Sequence, residues 1–280
     1  MNKRGILYRV YEWGAKNGKY FLKKKKKIMT GVEKIYDGRF VLKKDHTLWG
    51  WGSNKYGELG KGDKKYRKKP VKILSDVLYV SIGKSHIEDN GVLSRWENGV
   101  TCFAIRKDGS LWAWGSNENK VKKISVSLSE CVKTPKKIMN DVVSVKQGAG
   151  LVLVLQGDGT LWKKGYGLSN YYTDPTEKVD ENVAYIGEID STSSLLGGGQ
   201  IYYIKDDDSL WTYGTVFFKR AEKKPVKIMN DVFCVSVNYR GARAVKMNGT
   251  LWQWGRMVSE GSVEYSKKPK KVLNDMKVER

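Results

Sequence analysis

The chain has 280 residues, and 11% of them are aromatic, including ten Trp, which excludes a disordered protein. Lys and Arg total 52 against 30 Asp and Glu, and the net charge of +22 favours acidic partners such as nucleic acid, an anionic polymer or an acidic protein. No apolar run is long enough to cross a bilayer, so we predict no transmembrane segment.

One phrase recurs from the N-terminus onward, with a polar turn, a Leu-Trp pair and a closing Gly. Its most regular copy reads Asp-Gly-Ser-Leu-Trp-Ala-Trp-Gly at Asp108–Gly115. Related copies lie at Arg4–Gly14 (degenerate), Asp45–Gly52, Asp158–Gly165, Asp208–Gly214 and Asn248–Gly255. Self-similarity at a spacing of tens of residues is typical of a repeat architecture. We therefore predict one repeat-built domain over residues 1–280, with units at roughly 1–30, 31–74, 75–139, 140–180, 181–229 and 230–273.

The fourth unit illustrates the predicted pattern. Val142–Val145 and Leu151–Leu155 are β-branched or apolar runs that predict strands A and B. Gly157–Gly159 predicts a tight hairpin turn, because Gly readily adopts the positive φ that such turns need. Thr160–Lys163 predicts strand C, and the Pro-led run Pro175–Val179 predicts strand D, since Pro is tolerated on an outermost edge strand. Four antiparallel strands in about six units indicate an all-β β-propeller.

An open β-solenoid is the alternative architecture, and the Asp-Gly hairpins disfavour it because they require antiparallel neighbours. In the propeller, the Trp of each Leu-Trp pair is expected to fill the space between blades. A Trp112→Ala change would then cost about 3–5 kcal/mol of stability. Residues 274–280 are expected to close onto the N-terminus, which leaves a closing blade with little of strand B.

Strand order divides the links between strands into two groups. The B–C and D–A links are short and uniform, and we interpret their face as structural. The A–B and C–D links at the opposite face are irregular, with long examples at Gly83–Thr101, Ser53–Lys69 and Tyr166–Asp174. Long loops on a rigid scaffold usually carry binding, and aromatic residues in them are candidate anchors. The predicted partner-binding residues are Arg95, Trp96, Tyr56, Tyr66, Tyr166, Tyr171 and Tyr172, and Trp96 has the alternative of folding back to cap the ring.

Lysine clusters flank the predicted strand D in five of the six units. One interpretation is protective, because Lys on an exposed edge strand blocks edge-to-edge pairing. The other is a basic arc that docks an anionic surface. Of the 52 cations, 41 are Lys, and this bias disfavours sequence-specific base contacts, which use bidentate Arg. The predicted anion-binding residues are Lys64, Lys65, Arg67, Lys68, Lys69, Lys223, Lys224, Lys267 and Lys268.

The sequence predicts no enzyme, no cofactor and no metal site. It contains no nucleophile elbow, zinc-protease motif or P-loop. Two His support neither a common His-based metal site nor a Ser-His-Asp triad. Cys102, Cys131 and Cys234 form no Cys-x-x-Cys pair, so we expect free thiols, with Cys102 and Cys234 buried in apolar strands.

The repeated phrase, followed by Ser53–Gly60 (SNKYGELG) and a Lys-Pro-Val-Lys-Ile strand, resembles the regulator of chromosome condensation repeat. The resemblance covers essentially the whole chain and implies a propeller that binds another macromolecule, mostly through loops on one face. That family includes a nucleotide exchange factor for a small GTPase, a plant ultraviolet photoreceptor and secreted bacterial propellers, one of which inhibits β-lactamases. It usually has seven blades where this sequence has six units, and SNKYGELG is complete only once here.

Because a fold hosts many functions, the resemblance does not name a partner. We expect a non-enzymatic scaffold that binds a protein through the irregular loop face. The alternative is electrostatic binding of nucleic acid or an acidic cell-envelope polymer by the lysine clusters. We expect a monomer, in the cytoplasm if Met1 is the true start because no signal peptide is present, and exported if an N-terminal segment precedes it.

Overall fold

The structure is a computed structural model, and it describes residues 5–16, 19–85, 99–115, 131–148, 151–165, 177–187, 201–214, 222–238, 241–259, 262–276 and 278. In this part of the chain the regular elements are all β-strands, and none of its residues belongs to a helix able to span a membrane. The strands form one two-stranded and five four-stranded sheets, which confirms the predicted all-β fold of repeated four-stranded blades.

The first three sheets lie in the N-terminal half of the chain. Sheet I contains β1 (Leu7–Lys16) and β2 (Lys19–Met29). Sheet II contains β3 (Val32–Tyr36), β4 (Phe40–Lys43), β5 (Leu48–Gly52) and β6 (Arg67–Leu74). Sheet III contains β7 (Val77–Ser85), β8 (Gly99–Arg106), β9 (Leu111–Gly115) and β10 (Val132–Met139).

Three further sheets follow. Sheet IV contains β11 (Val142–Gly148), β12 (Leu151–Gln156), β13 (Leu161–Gly165) and β14 (Glu177–Asp180). Sheet V contains β15 (Val183–Ile186), β16 (Ile201–Lys205), β17 (Leu210–Gly214) and β18 (Glu222–Met229). Sheet VI contains β19 (Val232–Asn238), β20 (Gly241–Lys246), β21 (Leu251–Ser259) and β22 (Ser262–Leu273). In each four-stranded sheet the strands pair in chain order, so strands A and D are its edges.

The chain forms two compact units, each with its core between successive sheets. The first comprises residues 1–82, 99–120 and 124–139, and the second comprises residues 83–98, 121–123 and 140–280. In the first unit, Leu7 of sheet I packs with Val41 of sheet II, and Phe40 and Leu59 of sheet II pack with Trp114 of sheet III. In the second unit, equivalent clusters join sheet IV to sheet V and sheet V to sheet VI.

The two aromatic positions of the repeated phrase are buried to different extents. Trp112 is only partly buried but packs against the core between sheets II and III, as predicted, whereas Trp114, two residues later, is 2% exposed and lies within that core. Trp254 is similarly buried and donates its indole N–H to the Tyr202 hydroxyl at 3.0 Å. Residues two apart share a face of strand C, so the two rings point to the same side. The first Trp is less buried because it lies beside the B–C turn.

The first Trp of the phrase, Trp112 in sheet III, also completes a hydrogen-bonded B–C turn. Asp108 Oδ1 accepts the backbone N–H of Ser110 at 3.0 Å and its hydroxyl at 2.5 Å, and Ser110 Oγ accepts Trp112 Nε1 at 2.8 Å. Such Asx turns pre-form the hairpin and satisfy the indole donor. The same relay occurs at Asp45-Thr47-Trp49, Asp207-Ser209-Trp211 and Asn248-Thr250-Trp252.

Sheet IV varies this turn. Asp158 Oδ1 accepts the Thr160 N–H at 2.8 Å, but Trp162 Nε1 donates to Gln156 Oε1 at 2.6 Å. In sheet V the capping carboxylate is Asp207, and Asp208 occupies the left-handed position that Gly109 holds in sheet III. The copy of the phrase that was predicted to begin at Asp208 therefore begins at Asp207 in the structure.

Left-handed residues at D–A links join successive sheets within each unit through backbone hydrogen bonds. In the first unit Asp76 has φ of 58°, its carbonyl accepts Lys107 N at 2.8 Å, and the next residue, Val77, donates its N–H to the His46 carbonyl at 2.9 Å. The equivalent left-handed residues are Gly31, Asp141, Asn182, Asp231 and Asp275. Asn and Asp are the side chains that best tolerate this conformation, which explains the recurrent Asn-Asp pair.

The closing Gly of the phrase is required by a close approach. Gly115 has φ of 97°, and a Cβ there would lie 2.2 Å from the Val100 carbonyl oxygen. Gly52, Gly214 and Gly255 also have positive φ, between 92° and 111°. No L-residue with a side chain fits this combination, so Gly ends strand C.

Candidate functional site

The bounds of the strands separate uniform links from variable ones. In each four-stranded sheet the B–C link has four residues, as in 44–47 and 107–110, and the D–A links have two. The C–D links range from two residues at 260–261 to sixteen at 116–131. Length variation is therefore confined to the face that carries the A–B and C–D loops.

The described residues cover part of this face. Arg95, Trp96, Tyr166, Tyr171 and Tyr172 lie outside them, as does the side chain of Lys223, so the roles predicted for these residues stay predictions. The C–D loop of sheet II, residues 53–66, is described throughout and contains the SNKYGELG segment. We analyse it as the candidate site, together with strand β6 that follows.

Glu58 fastens this loop to sheet III. Its side chain is 1% exposed, pairs with Arg39 Nη1 at 3.2 Å and accepts the Tyr56 backbone N–H at 2.8 Å. Its carbonyl oxygen accepts Trp114 Nε1 at 2.8 Å and Cys102 Sγ at 3.8 Å. Burial, assisted by the Glu58 carboxylate, raises the pKa of the Cys102 thiol, so this Cys is a protonated packing residue.

Glycines allow the loop to lie directly on the edge strand of sheet III. Gly62 N donates to the Lys133 carbonyl at 2.9 Å. A Cβ on Gly57 would lie 2.9 Å from Lys133 Cα, and one on Gly60 would lie 3.0 Å from Pro135 Cδ. The SNKYGELG segment therefore has a structural role, because it connects sheet II to sheet III.

The second half of the loop is held by Asn54, Asp63 and Arg67. Asn54 is 1% exposed, and its Nδ2 donates to the Asp63 carbonyl at 2.9 Å. The Asp63 carboxylate accepts Lys65 N at 2.9 Å and Arg67 Nη2 at 2.7 Å. Arg67 Nη1 donates to the Lys65 carbonyl at 2.8 Å. The Arg67 guanidinium and the Lys65 N–H lower the pKa of Asp63, which keeps this clamp ionised.

The two predicted tyrosines of the loop are placed differently. Tyr56 is 7% exposed, and its side chain is packed within the loop rather than offered to a partner. Tyr66 is 64% exposed and lies between Lys65 and Arg67, whose positions the Asp63 clamp fixes. Of these two predicted anchors, only Tyr66 presents its ring to solvent.

The predicted anion-binding lysines are exposed and unpaired where the structure describes them. Arg67 differs, because its guanidinium is engaged by Asp63. In the part of the chain that the structure describes, no ion pair is formed by Lys64, Lys65, Lys68, Lys69, Lys224, Lys267 or Lys268. Unpaired surface cations on strand D suit both edge protection and contact with an anion.

A second polar cluster lies in the second unit, between sheets IV and V. Lys163 Nζ lies 2.9 Å from the Tyr213 hydroxyl and 3.0 Å from Glu177 Oε2, and the Tyr213 hydroxyl donates to Glu177 Oε1 at 3.1 Å. Burial opposes the Lys163 charge, but the hydrogen bonds to Tyr213 and Glu177 outweigh it and raise its pKa. Lys163 is therefore protonated and paired, and its role is to connect sheets IV and V rather than to act as a base.

A shallow groove lies beside the B–C turns of the second unit. The groove, about 300 Å³ in volume, is lined by Asp158 and Asp206 of the turns and by adjacent residues of β11, β12 and β15. Asp158 already accepts hydrogen bonds within its own turn. Among the described residues no three His, Cys, Asp or Glu side chains are grouped as metal ligands.

Sequence reasoning missed the residues that shape the loop. Asn54, Glu58 and Asp63 are polar residues in a polar segment, and nothing in their type marks two of them as buried. The signals that could have found them are the SNKYGELG resemblance and the four-residue spacing of Asp63 and Arg67. The thiols are free as predicted, although Cys234 is only partly buried.

Comparison with known proteins gives a family match over this site. The sequence model of the Regulator of chromosome condensation (RCC1) repeat matches residues 45–87, which include the loop and β6. Yeast RCC1 (Prp20) bound to Kap60 is similar in structure, with a TM-score of 0.55 and 17% identity over 84% of this chain and 62% of that chain. Prp20p from Saccharomyces cerevisiae, described with its binding to Gsp1p and histones, gives 0.58 and 17% over 84% and 63%.

A human protein, WBSCR16, is similar over more of the chain, with a TM-score of 0.60 and 15% identity over 94% of this chain and 73% of that one. At such identities the likeness shows the fold, a β-propeller of RCC1 type. This chain spans 62–63% of the two yeast chains.

Proposed function

Because this chain has the fold of RCC1-type β-propellers and its residues 45–87 match the RCC1 repeat, we propose that it is a non-enzymatic scaffold that binds a protein partner through its A–B and C–D loop face. The observation that carries the proposal is the contrast between faces, with uniform hydrogen-bonded B–C and D–A links on one and variable loops on the other. Prp20p, which has the same fold, binds Gsp1p and histones, and this supports a protein as the class of partner.

The loop of sheet II gives this proposal a physical basis. A binding surface gains affinity when its backbone is ordered before the partner arrives, because less conformational entropy is lost on binding. Asn54, Glu58 and the Asp63–Arg67 pair supply that order. Tyr66 then offers a large side chain to a partner.

Site-specific photocrosslinking tests which face binds. A photoreactive residue is placed at Lys64 in one variant and at Asp158 in a matched variant, since both positions are exposed and Lys64 lies in a C–D loop whereas Asp158 lies in a B–C turn. We expect a discrete crosslinked protein from position 64 and none from position 158. The same crosslinks from both positions would contradict the proposal.

Electrostatic binding of an anionic polymer is the second candidate, and it is supported by the exposure of Lys68, Lys69, Lys224, Lys267 and Lys268. Release of counterions predicts that retention on heparin or DNA falls steeply as salt rises. We expect removal of Lys68 with Lys69, or of Lys267 with Lys268, to shift elution by similar amounts. Absence of retention at low salt would eliminate this candidate.

A further inference from the structure

Two sheets carry an exposed Tyr at the same position before strand D. Gly52 pairs with Arg67, and Gly255 pairs with Ser266, so Tyr66 and Tyr265 are structurally equivalent. Both begin a Tyr-x-Lys-Lys-Pro-x-Lys sequence, and they are 64% and 53% exposed. The equivalent residue of sheet III, which precedes Val132, is the buried Cys131.

The surroundings of the two tyrosines differ. Tyr265 lies within an extended hairpin, where it pairs with Arg256 across the sheet. Tyr66 precedes β6, at the end of the clamped loop, and is preceded by further cations. We call residues 61–69 the Tyr66 platform.

The platform is strongly cationic and rigid. Residues 61–69 contain six cations (Lys61, Lys64, Lys65, Arg67, Lys68 and Lys69) and one carboxylate, Asp63. Arg67 forms an ion pair with that carboxylate, whereas Lys64, Lys65, Lys68 and Lys69 are exposed and form no ion pair in the described structure. Lys61 Nζ donates to the Lys72 carbonyl at 3.1 Å, which holds the start of the platform along β6.

We propose that the Tyr66 platform binds an acidic polypeptide segment of the partner protein. An apolar or aromatic side chain of that segment packs on the Tyr66 ring, and flanking carboxylates pair with Lys64, Lys65, Lys68 and Lys69. This inference rests on the proposed protein-binding function and names the chemistry of its partner. Charge complementarity sets the orientation and the association rate, while the buried ring supplies most of the affinity.

The same features disfavour a nucleic acid at this site. Single-stranded nucleic acids are held by several aromatic side chains on which successive bases stack. Tyr66 is the one exposed aromatic residue within 61–72. Arg67, the one guanidinium there, is committed to Asp63 and Lys65 and is not available for bidentate phosphate contacts.

The experiment compares three fluorescent probes of similar charge by anisotropy at low salt. The first is a Glu-rich peptide of about ten residues with a central Phe, the second has Gly in place of Phe, and the third is an oligothymidylate. Tyr66→Ala is expected to weaken binding of the Phe peptide about tenfold and to leave the Gly peptide unchanged. Tyr265→Ala, the matched control, is expected to change neither peptide by more than about twofold.

A second pair of variants removes equal charge from equivalent positions. Lys68→Ala with Lys69→Ala is expected to weaken both peptides more than Lys267→Ala with Lys268→Ala does. Equal losses would show that net charge alone governs binding and would overturn the platform. The proposal is also overturned if Tyr66→Ala weakens the oligothymidylate as much as the Phe peptide. Thermal melting confirms that each variant is folded, which is expected because Tyr66 is exposed.

The outcomes separate this inference from the proposed function. If no peptide binds but the residue at position 64 still crosslinks to a protein, the acidic-segment proposal is wrong and the scaffold function stands. If position 64 gives no crosslink and the Phe peptide still binds through Tyr66, the platform stands as a site for acidic peptides, and the scaffold function is left without the protein partner that it requires.

Discussion

The B–C turns and the C–D loop of sheet II are both rigid, but they use their polar groups in opposite ways. In a B–C turn such as 107–110, the Asp carboxylate, the Ser hydroxyl and the indole N–H bond to one another. In the loop, buried Asn54 and Glu58 satisfy the backbone, and the lysines that follow are left to solvent. The polar groups of the turn bond to one another, whereas the loop exposes lysine side chains on an ordered backbone.

This difference explains why repetition and function are found in different places. A turn that satisfies itself can recur in every sheet because it needs nothing beyond its own residues. The loop needs a particular neighbouring strand, β10, and a particular buried acid, so its complete form occurs once. Substitutions in the turns and anchors should therefore change stability, and substitutions in the platform should change binding.

The largest effect is expected at Trp114, where the loop meets the core. Trp114→Ala removes a fully buried ring and its hydrogen bond to Glu58, and should lower the free energy of unfolding by about 3–5 kcal/mol. Trp112→Ala is the matched control and should cost about 1–2 kcal/mol, because Trp112 is partly exposed. Urea unfolding of both variants measures the difference. Equal losses would mean that the two aromatic positions are not distinct.

A smaller effect is expected at the buried acid of the loop. Glu58→Ala leaves the Tyr56 N–H without its acceptor and removes a partner of Arg39, and should cost about 1–3 kcal/mol. Glu58→Gln retains an acceptor and should cost less. Thermal unfolding gives the order of the three proteins. If alanine were as stable as glutamate, the loop would not depend on this anchor.

The joints between sheets should show a conformational effect of about 1 kcal/mol. Asp141 has φ of 56°, a left-handed conformation that Asp tolerates better than Ala, so Asp141→Ala should destabilise by about 1 kcal/mol. Asp141→Gly tolerates this φ and should be close to neutral. Their unfolding midpoints test the point, and a glycine variant as unstable as alanine would assign the loss to the carboxylate instead.

Acid should weaken the B–C turns. The Thr47 hydroxyl and N–H lower the pKa of Asp45 to about 2, and hydrogen bonds from Ser110, Thr160 and Ser209 lower the pKa of Asp108, Asp158 and Asp207. A carboxyl whose pKa is depressed in the folded state contributes stability above its unfolded pKa, near 4, and loses it as pH falls toward the folded value.

The B–C turn of sheet VI is a control for this titration, because Asn248 forms the same turn without a titratable group. Changing the four turn Asp residues to Asn should flatten the loss of stability between about pH 4 and 2 while leaving stability at pH 7 nearly unchanged. Melting temperatures across that range measure it. An unchanged acid profile would show that other carboxylates, such as Asp63, dominate.

The repeated scaffold could be predicted from the sequence because its signals are local. Alternating strands, Asp-Gly turns and a Pro-led edge strand each depend on residues within a few positions of one another. The lesser burial of Trp112 could not be predicted in this way, since Trp112 and Trp114 are the same residue type in the same strand. The two side chains share a face of the strand, and what separates their burial is their distance from the B–C turn and the packing of the neighbouring sheet at each point, which is a tertiary property.

The candidate site was predictable in its exposed part and not in its buried part. Lys64, Lys65 and Tyr66 stand in a charged segment and were expected at the surface. Asn54 and Glu58 are also polar but are buried, where both hydrogen-bond to the loop backbone and Glu58 pairs with Arg39. The partner-binding role of Tyr66 depends on a molecule outside the chain and stays a prediction.

The left-handed residue at each D–A link also bears on how such a chain can grow. Asp76, Asn182 and Asp231 make the same pair of backbone bonds to the turns beside them. A whole unit bounded by two such residues therefore has the same type of hydrogen-bonded link at both ends. Gene duplication or deletion between these points would add or remove a blade without redesigning either junction, and each copy's C–D loop would then be free to diverge.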